Sequence, residues 1–352
     1  MRSFRGVRIQ GRVRYRARSR ETFYSEAANQ PSFRQSIAGV GVAIEDTDRC
    51  GDSVPEITRR KDVVINAGSS GALARFFVNR FDSIIRFLYC RAGLFRLINH
   101  IKPRVYHSDF ESLNEYFELM LRHLKREGFS VSGKSVLEIG PGNSYINAYN
   151  FLEAGARSVT LVDKYPRYCG SERQRAYIQS EIDFFRTKRD AGLFEYLDAA
   201  TCMPNPEYIR FIEGDLREID LGERVDFIYS IAVLQHIRDL PQYIRKMSDM
   251  LNSGGMVFHA IDLKDKFHFF GNPFLFYKYS DTAWDRLLTE ESVTYTNRLR
   301  YREYLEMFEE CGLEMVWESV LEYDVPRMKL APRFARRDDL HIGDAHLLFR
   351  KK

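Results

Sequence analysis

The sequence predicts an α/β fold around a mostly parallel sheet, and three observations lead to that prediction. From residue 135 onward, short β-branched apolar runs alternate with helical segments, as in folds that carry helices on both faces of a sheet. The first run ends in two glycines, Gly140 and Gly142, which let the backbone turn sharply and let a ligand lie against the main chain. The next two runs end in acidic residues, Asp163 and Asp215.

The first strand lies within residues 135–144, which read S-V-L-E-I-G-P-G-N-S. Its apolar residues suit a strand that is buried on both faces. The glycine turn leads into residues 145–154, which can begin a helix whose first N–H groups face a ligand. We therefore expect a ligand at this turn.

The second to fifth strands follow in chain order. Ser158–Asp163 is β-branched, and its last residue lies 21 positions after Gly142, close to the spacing of about 20 residues at which a carboxylate reaches ribose hydroxyls. A long connection with a polar helix over 172–188 separates it from the third strand. The third, fourth and fifth strands are predicted at 211–216, 225–231 and 251–261.

The C-terminal part predicts a lid and two closing strands. Residues 259–287 are dense in aromatic residues, histidine and acids, and they lie where a substrate lid would lie, beyond the carboxyl edge of the sheet. A helix over 301–311 ends at Gly312. Residues 313–323 and 345–352 then read as an antiparallel hairpin at the sheet edge.

The N-terminal part divides into a tail, a helical extension and the start of the main domain. Residues 1–20 contain eight arginines and no acid; we expect a poorly ordered basic tail over 1–70, with a transit peptide or a nucleic-acid arm as alternatives. Residues 71–107 predict a helical extension. Its arginines do not share one face, which makes peripheral membrane contact the minority alternative. The main domain spans 108–352 and begins with a helix over 108–128.

Composition narrows the class of protein further. The chain has 352 residues, a net charge of +4 and five scattered cysteines, without a C-x-x-C pair or a histidine cluster at metal spacing. We therefore expect no metal site, free thiols and a cytoplasmic location. No apolar run approaches the length that spans a bilayer.

Two motifs compete for the glycine turn. A dinucleotide fingerprint, G-x-G-x-x-G, would place its third glycine at Tyr145, where a tyrosine obstructs close helix–strand packing. The other motif is E-x-G-x-G-x-S, formed by Glu138, Gly140, Gly142 and Ser144. It resembles motif I of the class I S-adenosylmethionine (SAM)-dependent methyltransferases, with serine at the usual third glycine.

This resemblance implies a Rossmann-like, seven-stranded mixed sheet with helices on both faces, an N-terminal helical extension and a lid insertion after strand five. It implies that the glycine loop passes the amino-acid end of SAM, that Asp163 accepts from the ribose hydroxyls and that Asp215 accepts from the adenine amino group. The cofactor-binding residues that it implies are Glu138, Gly140, Pro141, Gly142, Asp163, Lys164, Gly214, Asp215, Leu216, Ser230 and Ile231.

The acceptor side is less specific. The segment A-V-L-Q-H-I after strand four resembles one common in small-molecule methyltransferases, and it makes His236 a candidate catalytic residue; a packed, hydrogen-bonded histidine is the equal alternative. The run from His259 to Asp265, H-x-I-D-L-x-D, resembles methyltransferases of saccharide and cell-surface polymer pathways. It adds His259 and Asp262 as catalytic candidates, although Lys266 replaces the histidine usual in that group.

The sequence therefore predicts methyl transfer from SAM to a small-molecule or saccharide acceptor, in the first place a hydroxyl oxygen and otherwise an amine. An RNA methyltransferase and a non-catalytic binding protein with this fold are the alternatives. Nucleic acid is disfavoured as a partner because no RNA-binding module is visible. In addition, the turn after strand four lacks the Asn/Asp-Pro-Pro-aromatic sequence typical of nucleic-acid exocyclic-nitrogen methylases.

Overall fold

A computed structural model describes Phe81, Ile84, Leu88 and residues 110–142, 144–164, 172–188, 197–198, 203–265, 273–287, 295–325 and 327–352. The predicted tail over 1–70 lies outside the described residues. Of the predicted extension over 71–107, only Phe81, Ile84 and Leu88 are described; their backbone is helical and their side chains are about half exposed. The three-part domain division therefore stays a prediction.

The helices are α1 Phe110–Arg126, α2 Ile146–Glu153, α3 Glu172–Lys188, α4 Leu240–Met250, α5 Asp281–Leu287 and α6 Tyr301–Glu310. The strands are β1 Ser135–Ile139, β2 Ser158–Asp163, β3 Leu197–Asp198, β4 Met203–Pro204, β5 Ile209–Glu213, β6 Val225–Ile231, β7 Leu251–Asp262, β8 Leu313–Glu322 and β9 Ile342–Lys351. Two short 3₁₀ helices are Leu234–His236 and Leu275–Lys278.

Seven of these strands form one mixed sheet in the order β5-β2-β1-β6-β7-β9-β8. The neighbouring pairs from β5 to β7 are parallel, whereas β9 runs antiparallel to both β7 and β8. This arrangement confirms the predicted α/β fold with a seven-stranded mixed sheet. The strands β3 and β4 form a separate two-stranded sheet within the long connection that the sequence assigned to a helix and loops.

The chain reverses its direction of travel across the sheet between β1 and β6. From β1 it moves outward to β2 and β5, and from β6 it moves the other way to β7. The carboxyl ends of β1 and β6 therefore flank a crevice, which is where open α/β sheets bind ligands. The glycine turn predicted from the sequence leaves β1 at this crevice.

Successive side chains along each strand point to opposite faces of the sheet, so the sheet contributes to two separate hydrophobic cores. One face packs against α1, α2 and α3 and includes Phe117, Phe151, Phe227 and Phe258. The opposite face packs against α4 and α6 and includes Ile228, Ile244, Val257 and Phe308. Helices therefore cover both faces of the sheet, as expected.

A third cluster, called here the aromatic cluster, joins the segment after β7 to the connection between β8 and β9. Its members are Phe274, Phe276, Tyr277, Tyr279, Trp284, Ala331, Phe334 and Leu340. The Ala331 N–H donates to the Tyr277 carbonyl at 2.8 Å, and the Tyr277 hydroxyl donates to the Leu340 carbonyl at 2.9 Å. The predicted lid over 259–287 starts too early, because residues 259–262 belong to β7, which pairs with β9 along this stretch. Residues 273–287 pack against a second segment, and a lid role for them stays a prediction.

Two buried arginines fasten the aromatic cluster to the sheet. The Arg300 guanidinium is fully buried and donates to the carbonyls of Leu263 and Ile342 at 2.6 and 2.5 Å. Arg298 donates to the Tyr279 carbonyl at 2.7 Å and to the Asp281 carboxylate at 2.5 Å. Burial lowers the pKa of Arg298 to about 10, so the guanidinium remains charged at neutral pH.

The boundaries differ from the sequence expectations mainly at strand starts. The third predicted strand begins at Ile209 rather than 211 and the last at Ile342 rather than 345. Both early starts occur where the partner strand continues: Ile209 pairs with Val159 of β2, and Ile342 pairs with Glu322 of β8. Pairing with a neighbouring strand is a tertiary effect that a local apolar pattern does not contain.

Candidate active site

The glycine loop has the backbone that only glycine adopts without strain. Gly140 and Gly142 have φ angles of 68° and 62°, in the left-handed region. The Gly140 N–H donates to the Val162 carbonyl of β2 at 2.8 Å. A Cβ atom on Gly140 would lie 2.5 Å from the Val233 side chain, so the loop packs directly on the segment that follows β6. Pro141 between the glycines is half-buried.

Glu138 lies just before this loop and is hydrogen-bonded to a residue of β6. Its side chain is buried, and its carboxylate accepts from the Tyr229 hydroxyl at 2.6 Å. Burial and the neighbouring Glu138 charge raise the pKa of Tyr229, so the hydroxyl keeps its proton. Sequence reasoning missed Tyr229, although its alternation along β6 places it on the same face as Glu138.

The ends of β2 and β5 carry the two predicted acids. The half-buried Asp163 accepts from the Gly142 N–H at 3.4 Å, and the exposed Lys164 follows it. The Gly214 N–H donates to the Asp163 carbonyl at 2.8 Å. The structure thus brings the glycine loop, β2 and β5 together at one edge of the sheet.

Asp215 is engaged by a residue that the sequence reading did not weigh. Its carboxylate accepts from the Arg217 guanidinium at 2.9 and 2.6 Å and from the Arg217 N–H at 3.1 Å. These hydrogen bonds and the Arg217 charge hold the pKa of Asp215 below its usual value. The adjacent Leu216 is fully buried. Any ligand that uses Asp215 must share this carboxylate with Arg217.

Ser230 and Ile231 end β6 beside the crevice, and Ala232 follows them. Ser230 is fully buried and its hydroxyl lies 2.7 Å from the His259 Nδ1 atom. Ile231 is half-buried. Ala232 has a φ angle of 55°, rare for a residue with a side chain, and its N–H donates to the Ala260 carbonyl at 2.8 Å.

His259, a predicted catalytic residue, lies inside the protein. Its ring is fully buried and stacks on Phe308 of α6 with ring centroids 5.3 Å apart. Burial lowers its pKa to about 3, so the ring is neutral at physiological pH. Since side chains alternate along β7, His259 and Asp262 face opposite sides of the sheet; the structure does not bring them together.

His236, the other histidine candidate, is half-buried on the 3₁₀ helix after β6. Its Nδ1 lies 2.6 Å from the Tyr295 carbonyl, and its Nε2 lies 3.4 Å from the Gln235 side-chain nitrogen. The first contact requires a proton on Nδ1. These contacts are those of a hydrogen-bonded histidine that ties the crevice to residues 295–300.

Asp262, the third candidate, ends β7 and belongs to what is called here the Asp–Lys cluster: Asp262, Lys264, Tyr323 and Asp344. Asp262 and Asp344 are directly opposite each other on β7 and β9, and the Lys264 ammonium bridges their carboxylates. The Tyr323 hydroxyl donates to Asp344 at 2.6 Å. Sequence reasoning missed Asp344 and Tyr323, because only the pairing of β9 with β7 brings them here.

Neighbouring charges and burial shift the pKa values of Asp262 and Lys264 in this cluster. Burial and the nearby Asp344 raise the pKa of Asp262, while Lys264 opposes the rise. The pKa of Lys264 is raised by Asp262 and Asp344 against the effect of burial, so the ammonium stays charged. About a quarter of each aspartate side chain is exposed. The cluster therefore presents a solvent-accessible carboxyl group with an elevated proton affinity.

A family model described as a methyltransferase domain matches residues 112–318, more than half of the 352 residues. The chain is a class I SAM-dependent methyltransferase. The matched range contains the glycine loop, Asp163, Asp215 and Asp262, and it ends within β8. It leaves out Asp344, which completes the Asp–Lys cluster of this methyltransferase.

Solved structures similar to the methyltransferase share little sequence with it. The N-methyltransferase NodS from Bradyrhizobium japonicum WM9, in complex with S-adenosyl-L-homocysteine, is 18% identical, with coverage of 69% of this chain and 88% of that chain and a TM-score of 0.36. A 1,6-didemethyltoxoflavin-N1-methyltransferase from Burkholderia thailandensis is 16% identical, with coverage of 78% of this chain and 89% of that chain and a TM-score of 0.39. An S-adenosylmethionine dependent methyltransferase from Mesorhizobium loti is 14% identical, with coverage of 65% of this chain and 96% of that chain and a TM-score of 0.38. No curated protein matches significantly.

The residues of the crevice fit SAM, the methyl donor of this methyltransferase. A Cβ at Gly140 would collide with the Val233 side chain, whereas a Cβ at Gly142 would meet no atom within 4 Å, so the loop packs tightly at Gly140 and leaves open space at Gly142. Carboxylates at the ends of β2 and β5 match the hydroxyl and amino donors of a nucleoside. In the described part of the chain, no group of three metal-binding side chains occurs and no helix has the length and hydrophobicity to cross a bilayer.

Proposed function

We propose that the methyltransferase transfers the methyl group of SAM to a hydroxyl oxygen of a small molecule or saccharide, with Asp262 as the proton acceptor. The observation that carries this proposal is the Asp–Lys cluster at the carboxyl end of β7. It offers a partly exposed carboxyl whose pKa is raised by burial and by Asp344. A base of raised pKa suits proton removal from a hydroxyl near neutral pH.

The position of Asp262 supports an acceptor role. Ile231 at the end of β6 pairs with Ala260 of β7, and Asp262 follows two residues later. Adjacent strands lie about 4.8 Å apart, so Asp262 stands one strand beyond β6, on the side of the crevice away from Asp163 and Asp215. A nucleoside on the β1–β2–β5 side leaves the β6–β7 side for the acceptor.

The proposed cofactor contacts follow the same geometry. The main chain of the glycine loop would hold the amino-acid end of SAM, with Glu138 bracing the loop through Tyr229. Asp163 would accept from the ribose hydroxyls, and Asp215 from the adenine amino group beside Arg217. Ser230 and Ile231 would border the cofactor from β6.

The chemistry asks for orientation and for one proton transfer. When bound, SAM supplies a methyl group that is activated by a positively charged sulfur. In the transfer, an oxygen–methyl bond forms, the sulfur–methyl bond breaks and the hydroxyl proton leaves. Asp262 would take that proton, and Lys264 would hold the carboxylate in place. We assign no proton transfer to His259, which is buried on the other face, or to His236, whose Nδ1 bonds a carbonyl.

The test is methyl transfer from labelled SAM into fractionated cell extract, followed by mass spectrometry of the labelled product. We expect a labelled O-methyl ether, and no labelled product with Asp163→Ala, because that variant loses a half-buried acceptor for the ribose. A labelled N-methyl product would overturn the oxygen acceptor and keep the methyltransferase. Label in the RNA fraction would establish the RNA alternative.

The role of Asp262 is tested once that product is known. Asp262→Asn is expected to lower kcat by about 10²-fold or more, the usual contribution of a general base, while the Kd for SAM measured by calorimetry stays unchanged. Glu322→Gln removes an exposed carboxylate at the end of β8 and serves as the control, with kcat as in the unmodified protein. An Asp262→Asn enzyme with normal kcat would exclude Asp262 as the base.

A further inference from the structure

A buried carboxylate on α3 binds the far end of the glycine loop. Glu181 is 1% exposed. Its Oε1 atom accepts from the Tyr145 N–H at 2.5 Å and from the Ser144 hydroxyl at 3.0 Å. The Ser144 oxygen in turn accepts from the Ile146 N–H at 3.2 Å. Two backbone N–H groups at the start of α2 are therefore satisfied by side chains of the protein.

The position of this charge has a physical reason. Burying a carboxylate is costly unless hydrogen bonds and positive charge compensate for the lost water. The start of a helix supplies both, through free N–H groups and the positive end of the helix dipole. Glu181 therefore couples α3 to the first turn of α2, and the coupling fails if either the charge or the donors are removed.

The glycine loop is thus held from both ends by different elements. At its start, β2 accepts the Gly140 N–H through the Val162 carbonyl and the Gly142 N–H through the Asp163 carboxylate. At its end, α3 accepts from Ser144 and Tyr145 through Glu181. Both glycines with left-handed backbone donate to the first anchor.

We propose that Glu181 is a positioning residue for SAM: it fixes the glycine loop in its cofactor-binding shape without touching the cofactor. The inference rests on SAM as the methyl donor. A preorganised loop binds a ligand more tightly because less conformational freedom is lost on binding. Without Glu181, the turn from Gly142 to Tyr145 loses an anchor, and part of the binding free energy is spent on ordering it.

The sequence contains a signal for Glu181 that motif reading does not use. On α3, the buried apolar residues Ile178, Ile182 and Phe185 mark the face that packs on the sheet. Glu181 lies on that same face at helical spacing. A carboxylate among core positions needs a donor partner, and the loop 37 residues earlier supplies it.

The test measures the Kd for SAM by calorimetry in Glu181→Ala and Glu181→Gln, together with Tm. We expect about a tenfold or greater rise in Kd for Glu181→Ala, the size that a lost charge-assisted hydrogen bond produces. Glu181→Gln keeps one acceptor oxygen and should recover part of the affinity. Asp183→Asn, which removes an exposed charge from the same helix, is the matched control and should stay within about twofold of the unmodified protein.

A second readout separates positioning from general loss of stability. Ile244→Val in the core of the opposite face should lower Tm and leave the Kd for SAM unchanged. Hydrogen exchange of residues 138–146 should be faster in Glu181→Ala than in Ile244→Val. If Glu181→Ala does not fold, Glu181→Gln and Ser144→Ala replace it, each with a Kd about threefold or more above that of the unmodified protein, a fraction of the loss expected for the alanine variant.

The outcomes distinguish the two levels of inference. A folded Glu181→Ala protein, or its two replacements, with the Kd of the unmodified protein would overturn the positioning role and leave the methyltransferase assignment intact. Failure of the unmodified protein to bind SAM at millimolar concentration would remove both.

Discussion

At the scale of single residues, backbone strain is concentrated beside the crevice. Ala232 has a φ angle of 55°, where a Cβ crowds the backbone at a cost of about 1–2 kcal/mol. It lies between Ile231 of β6 and Val233, the residue that contacts Gly140. The N–H bond to the Ala260 carbonyl at 2.8 Å holds it there. Strained residues persist where the surrounding structure fixes them, and they cluster at functional sites.

Because of this strain, we expect a substitution to glycine at Ala232 to stabilise the protein. Ala232→Gly should raise the free energy of unfolding by about 0.5–1 kcal/mol, because glycine adopts this backbone freely and the relief exceeds its larger entropy in the unfolded chain. Urea denaturation measures the change. The same substitution at Ala148, which is buried in the first turn of α2, should instead lower stability by about 1 kcal/mol. Equal losses at both positions would show that Ala232 is unstrained.

Residue-level motifs identified the residues of one side of the crevice, and their cofactor contacts stay a prediction. Glu138, Gly140, Gly142, Asp163 and Asp215 follow strand ends along the chain, and the structure brings them to one crevice, because parallel strands present their carboxyl ends at the same edge. Partners from distant segments escaped the motifs. Tyr229 and Asp344 are recognisable only when the neighbouring strands are known. Arg217 lies two residues after Asp215, and it was missed because the motif contains no basic residue.

At the scale of elements, the aromatic cluster is a unit of its own attached to the sheet. Phe334 is fully buried in it and lies 4.8 Å from Tyr277 between ring centroids. The ring also packs edge-on against Phe276 at 6.4 Å. This core is separate from the two that flank the sheet. A substitution that destabilises the aromatic cluster should therefore unfold the cluster locally before the rest of the domain unfolds.

Phe334→Ala tests that independence. The substitution leaves a cavity in the cluster, and a phenylalanine truncation costs about 3–5 kcal/mol where it is fully felt. Hydrogen exchange should accelerate in 273–287 and 327–341, while β1, β6 and β7 keep their protection. Phe308→Ala, in the core between α6 and the sheet, should instead destabilise all strands together. Uniform acceleration in Phe334→Ala would show one cooperative unit.

The helices and strands were largely predicted from the periodicity of apolar residues and from the glycines that end them. Ser158–Asp163 and Val225–Ile231 occupy the predicted residues, and α6 ends one residue before the predicted boundary at 311. What the pattern did not contain is the partnership of 273–287 with 327–341. That partnership depends on the packing of aromatic side chains that are far apart in the chain, such as Tyr277 and Phe334, which are 57 positions apart. No local period contains that information.

At the scale of the whole molecule, buried neutral histidines limit stability in mild acid. His259 has a pKa of about 3 because it is buried, whereas an unfolded histidine titrates near 6.5. Below about pH 6.5 the unfolded chain therefore takes up a proton that the native state does not, and the free energy of unfolding decreases as pH falls. The aspartates with lowered pKa values, such as Asp215, act only at lower pH.

We expect His259 alone to cost about 1 kcal/mol of stability between pH 7 and 5.5. Urea denaturation across this range should show the decrease, and His259→Asn should make the pH dependence shallower. His341→Asn, which removes a half-exposed histidine, is the matched control for the loss of one histidine. A slope that His259→Asn does not alter would mean that this ring titrates normally.

The order of strands in the sheet also has a consequence for synthesis. In the described sheet β8 has β9 as its single neighbour, and β9 also covers the outer edge of β7. A ribosome therefore releases β8 before anything exists for it to pair with. Until residues 342–351 emerge, the nascent chain carries one strand without a partner and an open edge on β7, a state in which two growing chains can pair with each other instead.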